Sequence, residues 1–259
     1  MNDTILSNMD NGEQEIRWLI RDKYGNILPS AEETAADIER LKTGEPLDYV
    51  IGWKPFLGLH IDLSYRPLIP RAETEYWTER AVHDARERFG GAPVSVLDLC
   101  AGSGCIGLSF LGAFPNAHVD FVDIDERCLS QIKINIDKNR LSSSGARLIR
   151  SDLWRGLEEV EYDVIVCNPP YVPVSRQLAS GVVDFEPPHA LFSGDDGLAL
   201  ILRFFHDLKR YLSPRGIAWL EYDDGQQDQV FDIAERFGFI CKIEKDQFGR
   251  YRFCSLVHA

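Results

Sequence analysis

The sequence predicts an α/β fold, with a mostly parallel sheet covered by helices on both faces. Three observations predict it. From Val94 onward, strand-like and helix-like stretches alternate regularly, as they do when parallel strands are joined by crossover helices. Cys100-Ala101-Gly102-Ser103-Gly104 is a glycine-rich turn between an apolar strand and a helix start. In Tyr162-Asp163-Val164-Ile165-Val166-Cys167-Asn168-Pro169-Pro170-Tyr171 a β-branched apolar run meets two prolines. Proline has no N–H for a ladder and holds φ near −65°, so the strand ends there.

Residues 1–44 read as polar and helical. Glu13 to Lys23 forms one short helix around Ile16, Leu19 and Ile20. Ser30-Ala31-Glu32-Glu33 is a capping box, opening a second helix through Ile38 and Leu41. Gly44-Glu45-Pro46 stops it. So short a segment lacks a core of its own and packs on the residues C-terminal to it. Residues 45–72 read as a β-hairpin linker, with strand-like runs at Tyr49–Trp53 and Leu59–Leu63 separated by Pro55 and Gly58. In Leu68-Ile69-Pro70-Arg71-Ala72-Glu73-Thr74-Glu75, Pro70 closes an extended segment and the two acids begin a helix to Arg88.

Residues 73–259 make the main domain. Strands are predicted at Ser95–Leu99, His118–Asp123, Ala146–Arg150, Tyr162–Cys167, Gly216–Tyr222, Phe239–Glu244 and Tyr251–Val257. Helices are predicted at Cys105–Ala113, Glu126–Asn139, Gly197–Tyr211 and Gln226–Phe237. The last two strands are joined by Asp246-Gln247-Phe248-Gly249. That link is too short for a crossover, so one of them runs antiparallel.

Composition narrows the function. The chain carries 28 basic against 41 acidic residues, a net charge of −13. Nucleic-acid affinity rests largely on neutralising phosphates, so direct nucleic-acid binding is not expected. No apolar run approaches the ~18 residues of a membrane span. Asp3, Asp10, Glu13 and Glu15 at the N-terminus do not make a secretory leader. The six cysteines contain no CxxC pair, and Cys100, Cys167 and Cys254 read as small buried hydrophobes. A monomer in a reducing cytoplasm is expected, with no membrane partner. The histidines show no ligand spacing, so no metal is assigned.

Two sites carry chemistry. The glycine turn permits positive φ and close backbone approach to a ligand. Asp123, in Val122-Asp123-Ile124, ends the next strand, where a carboxylate can accept both hydroxyls of a ribose. Gly102-x-Gly104-x-x-Gly107 also matches the dinucleotide fingerprint, which keeps a NAD-dependent oxidoreductase open. Asp98, just before the turn, suits a cationic ligand better than a pyrophosphate. S-adenosylmethionine, with its sulfonium and ammonium, is such a ligand. No Tyr-x-x-x-Lys pair for hydride chemistry accompanies the turn. Asp152, in Arg150-Ser151-Asp152-Leu153, reads either as an acceptor for an adenine amino group or as a solvated turn residue. Leu153 or Trp154 can cover the base.

At the second site, Asn168 offers a side-chain carbonyl and Pro169 a backbone carbonyl. Two acceptors can hold both hydrogens of a planar NH2 group while the Tyr171 ring covers its face, with Pro170 also in the substrate site. The nitrogen then points at an electrophile. Glu186, before Pro187, either orients Asn168 and lines the cleft or is a solvated loop residue. Arg71 either contacts the ligand or pairs with Glu73.

With both motifs present, the chain resembles the HemK/PrmC family, the glutamine-N5 methyltransferases of peptide-chain release factors. The likeness runs from Gly44 to Phe253. It rests on Gly44-Glu45-Pro46, Leu68 to Glu75, Leu97 to Gly104, Val122-Asp123-Ile124 and Asn168-Pro169-Pro170-Tyr171. Phe185-Glu186-Pro187, Gly194-Asp195-Asp196-Gly197-Leu198 and Leu220-Glu221 complete it. The resemblance implies a seven-stranded Rossmann-like sheet of the class I methyltransferases, a hairpin linker and a helical N-terminal part that docks the substrate. It implies that the Cys100–Gly104 turn, Asp123, Ile124, Asp152 and Leu153 line the S-adenosylmethionine site, and that Asn168 and Pro169 hold the glutamine of a Gly-Gly-Gln loop. Three features depart from the family: Cys100-Ala101 replaces Gly-Thr or Gly-Cys, Ala72 replaces a proline, and the N-terminal part is short. Adenine-N6 methylation of nucleic acid, which uses the same grip, is the nearest alternative. A scaffold that binds the donor without catalysis is the other.

Overall fold

The computed structural model describes residues 11–25 and 30–259. Helix α1 spans Asn11–Tyr24 and α2 spans Ala31–Lys42. The capping box of α2 is formed: Glu33 N–H donates to Ser30 Oγ, and the Ser30 N–H to the Glu33 carboxylate. The expected strand at Tyr49–Trp53 is instead a short helix, α3 (Leu47–Ile51), closed by Gly52 at φ +92°. Val50 and Ile51 are drawn into a small cluster with Leu19 of α1. Tertiary burial outweighs their β propensity there. The hairpin proper is β1 (Trp53–Phe56) with β2 (Leu59–Asp62).

The hairpin is fastened by side-chain amides to α6 (Glu126–Lys138) and its C-cap. Asn135 Oδ1 accepts from Asp62 N–H at 2.8 Å, and Asn139 Oδ1 from His60 N–H at 2.8 Å. Asn135 Nδ2 also donates to the Ser103 carbonyl at 2.9 Å, tying hairpin, helix and glycine turn together.

Helix α4 (Ala72–Phe89) precedes β3 (Ser95–Leu99), α5 (Cys105–Ala113) and β4 (His118–Asp123). After α6 come β5 (Ala146–Arg150), β6 (Tyr162–Cys167), α7 (Ser180–Val183), α8 (Ala199–Tyr211) and β7 (Leu212–Glu221). Helix α9 (Gln227–Arg236), β8 (Phe239–Lys245) and β9 (Tyr251–His258) complete the fold. The seven-stranded order is β5-β4-β3-β6-β7-β9-β8, and β9 is antiparallel to both its neighbours.

The period-two alternation of the strands separates two cores. Val96, Val164, Val166 and Trp219 face Trp77 of α4 and Leu108 of α5. Leu97, Leu99, Ile165, Cys167 and Leu220 face Phe204, Phe205 and Leu208 of α8 and Val230 of α9. Each fully buried side chain of this size contributes about 1.5–3 kcal/mol. The strand order reverses between β3 and β6. A ligand crevice forms outside the carboxyl ends of strands at such a switch point.

Candidate active site

A cavity of about 360 Å³ opens at that switch point, within the usual range for small-molecule sites. Cys100, Ala101, Gly102 and Ser103 line it. The turn needs left-handed backbone at Cys100 (φ +59°), Gly102 (φ +55°) and Gly104 (φ +79°). Gly104 lies at the N-cap of α5, where a Cβ would stand 2.7 Å from Ile132 of α6. A Cβ at Gly107 would run into the Phe121 ring. The third glycine of the fingerprint is therefore explained by packing of α5 on β4, without a pyrophosphate.

Asp98 does not line the cavity. It is fully buried behind the turn, and its Oδ2 accepts the Gly107 N–H at 2.9 Å while Oδ1 has no partner. Burial, with Asp123 nearby, pushes its carboxyl up to about 7 despite that hydrogen bond. Asp123 does line the cavity. Its Oδ2 accepts from Gly102 N–H at 2.8 Å and its Oδ1 from Asp125 N–H at 2.9 Å. Burial raises this carboxyl too. Each oxygen keeps capacity for a further donor.

At the far end, Ile124 and Leu153 (φ +54°) supply apolar surface. Asp152 lines the cavity beside them, and its Oδ1 stands 2.8 Å from Arg203 Nη2 of α8. Asp152 is thus ion-paired rather than simply solvated. Trp154 belongs to the core, stacked on Tyr211 at 4.7 Å.

The other end carries the acceptors. Asn168 lines the cavity at the tip of β6, with its Nδ2 donating to Thr74 Oγ1 at 3.3 Å. Among the described residues no hydrogen bond goes to Asn168 Oδ1 or to the Pro169 carbonyl. Pro170 lines the cavity; Pro169, which is buried, and Tyr171 do not. The Tyr171 hydroxyl donates to Glu221 Oε1 at 2.9 Å, and burial raises its pKa. Arg71 lines the cavity and pairs with Glu186 rather than Glu73. Glu186 stays behind that wall, also accepting the Ile69 N–H at 3.1 Å.

Sequence reasoning missed the group that holds these parts. Glu221, buried at the end of β7, accepts from Thr74 Oγ1 (2.7 Å), Trp77 Nε1 (2.6 Å) and the Tyr171 hydroxyl. Thr74, Trp77 and Thr78 form a buried stripe at helical spacing on α4. That stripe, with a carboxylate ending an apolar strand, was the available signal. Leu68, at the start of the Pro70-Arg71 segment, also lines the cavity, as do His189 and Leu200, which no local pattern marks.

The Methyltransferase small domain family matches residues 87–184. A solved methyltransferase from Pyrococcus furiosus superposes with a TM-score of 0.58 at 17% identity, over 86% of this chain and 98% of that one. The fold is that of the class I S-adenosylmethionine-dependent methyltransferases. The release factor glutamine methyltransferase of Rhodopirellula baltica is 32% identical over 241 residues, 90% of this chain and 81% of that one. A ribosomal protein uL3 glutamine methyltransferase of Francisella tularensis is 34% identical over 191 residues, 70% of this chain and 58% of that one. The chain belongs to the release factor glutamine methyltransferase family.

The residues present fit the donor of this class. A carboxylate held by backbone N–H groups ends β4, apolar surface flanks it, and Asp98, with its Oδ1 unpartnered, lies behind the turn. Among the described residues no cluster has the makings of a metal site. None of their helices is long and apolar enough to cross a membrane.

Proposed function

We propose that the protein methylates the side-chain amide nitrogen of the glutamine in the Gly-Gly-Gln loop of a peptide-chain release factor. The observation that carries this reading is the pair of unused acceptors, Asn168 Oδ1 and the Pro169 carbonyl next to it in the chain, of which Asn168 lines the glycine-turn cavity. S-adenosylmethionine supplies a methyl group on a positively charged sulfur, open to in-line displacement. Asp123 would hold its ribose hydroxyls, Ile124 and Leu153 its base, and the Cys100–Gly104 turn and Arg71 the rest. Asp98, when ionised, would act from behind as a negative charge, and Asp152 would accept from the adenine amino group.

Asn168 and Pro169 accept the two N–H groups of the glutamine amide. That fixes the nitrogen toward the methyl and supports the positive charge that develops on it. An amide nitrogen is a poor nucleophile, because its lone pair is delocalised into the carbonyl. Positioning therefore supplies much of the acceleration, up to about 7–11 kcal/mol with ideal geometry. No general base adjoins Asn168 within the motif, so the proton leaves the nitrogen after the new bond forms. Pro170 packs against the substrate, while Tyr171 and Glu186 shape the site from behind. On this reading residues 1–44 dock the substrate, 45–72 are the linker and 73–259 the catalytic domain.

The uL3 relative favours a second protein glutamine as an alternative substrate. Labelled donor incubated with a release-factor fragment, ribosomal protein uL3 or an adenine-containing DNA duplex separates the readings. Label in the Gly-Gly-Gln glutamine is expected. Label in the duplex alone would overturn the proposal.

A further inference from the structure

Asn168 can serve as an acceptor only if the oxygen end of its carboxamide faces the cavity. An amide is nearly symmetric in shape, so packing alone does not decide which end that is. Hydrogen-bond direction can decide it.

Glu221 Oε2 receives two groups, the Trp77 indole N–H at 2.6 Å and the Thr74 hydroxyl at 2.7 Å. An indole N–H donates and never accepts. Oε2 accepts the indole hydrogen and, as the oxygen without a proton, accepts the Thr74 hydroxyl too, whether or not Oε1 carries a proton. The single hydrogen of Thr74 goes to Oε2, which leaves only lone pairs on the other side of Oγ1. Asn168 lies on that side, at 3.3 Å. Only its N–H end can face Thr74 there, so Oδ1 faces the cavity. We infer that the chain Trp77–Glu221–Thr74 is a polarity relay that sets the orientation of the Asn168 amide. Thr74 and Glu221 are thus positioning residues for methyl transfer.

The same carboxylate fixes the other end of the motif. Glu221 Oε1 accepts the Tyr171 hydroxyl at 2.9 Å, so Asn168 and Tyr171 are both referred to one buried acid 50 positions downstream of Tyr171. Glu221 also joins α4 to the tip of β7. A bland structural role would consist of that alone. The two roles part at Thr74→Val, which keeps the shape and methyl group but removes both the proton and the lone pairs.

The inference rests on the proposed acceptor role of Asn168, and it is tested in two ways. The first is a double-mutant cycle in methyl transfer to a release-factor fragment. Thr74→Val is expected to lower turnover about tenfold, the scale of one oriented hydrogen bond, with donor affinity held within about twofold. Thr74→Ser, which keeps the hydroxyl, restores most of the turnover. In an Asn168→Ala background Thr74→Val changes turnover less than about twofold, because no amide remains to be oriented. An equal loss in both backgrounds would overturn the relay and leave Thr74 merely structural.

The second test needs no substrate. Side-chain ¹⁵N NMR of the ligand-free protein, with the Asn168 NH2 pair assigned by its loss in Asn168→Ala, should show a contact from one amide proton to Thr74. It should also show a shift of the pair in Thr74→Val. An unchanged pair in Thr74→Val would contradict the relay. If the wild-type protein fails to methylate the fragment, the substrate proposal fails, and the NMR result still decides the relay.

Discussion

Arg71 and Glu186 stand 115 positions apart in the chain, yet Arg71 Nη2 lies 2.5 Å from Glu186 Oε1. Glu186 is almost wholly buried, and its second oxygen holds the Ile69 N–H. Leu68, Pro70 and Arg71 line the cavity, so this one acid shapes the wall it does not itself reach.

Glu186→Ala leaves a buried N–H and a partly buried guanidinium without their acceptor. A loss of about 2–3 kcal/mol in unfolding free energy is expected, together with weaker donor binding. Glu186→Gln keeps an acceptor for Ile69 and should lose clearly less stability. Denaturant unfolding and calorimetric titration of the donor check both.

Asp98 makes stability depend on pH. Its folded carboxyl is raised to about 7, so between its unfolded value and about 7 the folded state binds the extra proton. Stability contributed by this group is present at low pH and falls as pH rises through that window. Burial shifts Asp123 and Glu221 in the same direction, so they share the slope. Asp98→Asn should flatten the profile in part and stabilise the ligand-free protein by about 2–4 kcal/mol at pH 8. An unchanged slope in melts from pH 4 to pH 8 would rule this out.

Cys100 adopts a left-handed backbone, φ +59°, at a position where a side chain is strained. That conformation costs about 1–2 kcal/mol for a residue with a Cβ, while glycine loses some unfolded-state freedom in return. Cys100→Gly is expected to leave stability equal or raise it by up to about 1 kcal/mol. A drop in the melting temperature would show that the thiol's contacts outweigh the strain.

Much of the fold was legible because its signals are local. Strands β3 to β6 begin and end where the β-branched runs and turns put them. β7 starts at Leu212, four residues before the expected Gly216, because Leu212 pairs with Tyr162 across a bulge that Pro214 obscures in the sequence. Tyr49–Ile51 misled, since helix and strand are hard to separate in a short apolar run. The glycine turn, Asp123 and Asn168 could be read from their own neighbourhoods. The relay could not: Thr74 and Glu221 are 147 positions apart. Only the assembled sheet brings α4 to the tip of β7. The same holds for Glu186, whose role depends on a loop returning to the Pro70 segment.

Asn168, on the proposed reading, grips the methyl acceptor and leaves the donor site alone. Paired measurement of donor affinity by calorimetry and of single-turnover methylation of the Gly-Gly-Gln fragment tests this in Asn168→Ala. The expected result is a turnover loss of about 10²–10³-fold with donor affinity within about threefold of the wild type. Parallel loss of both, or turnover that survives, would contradict it.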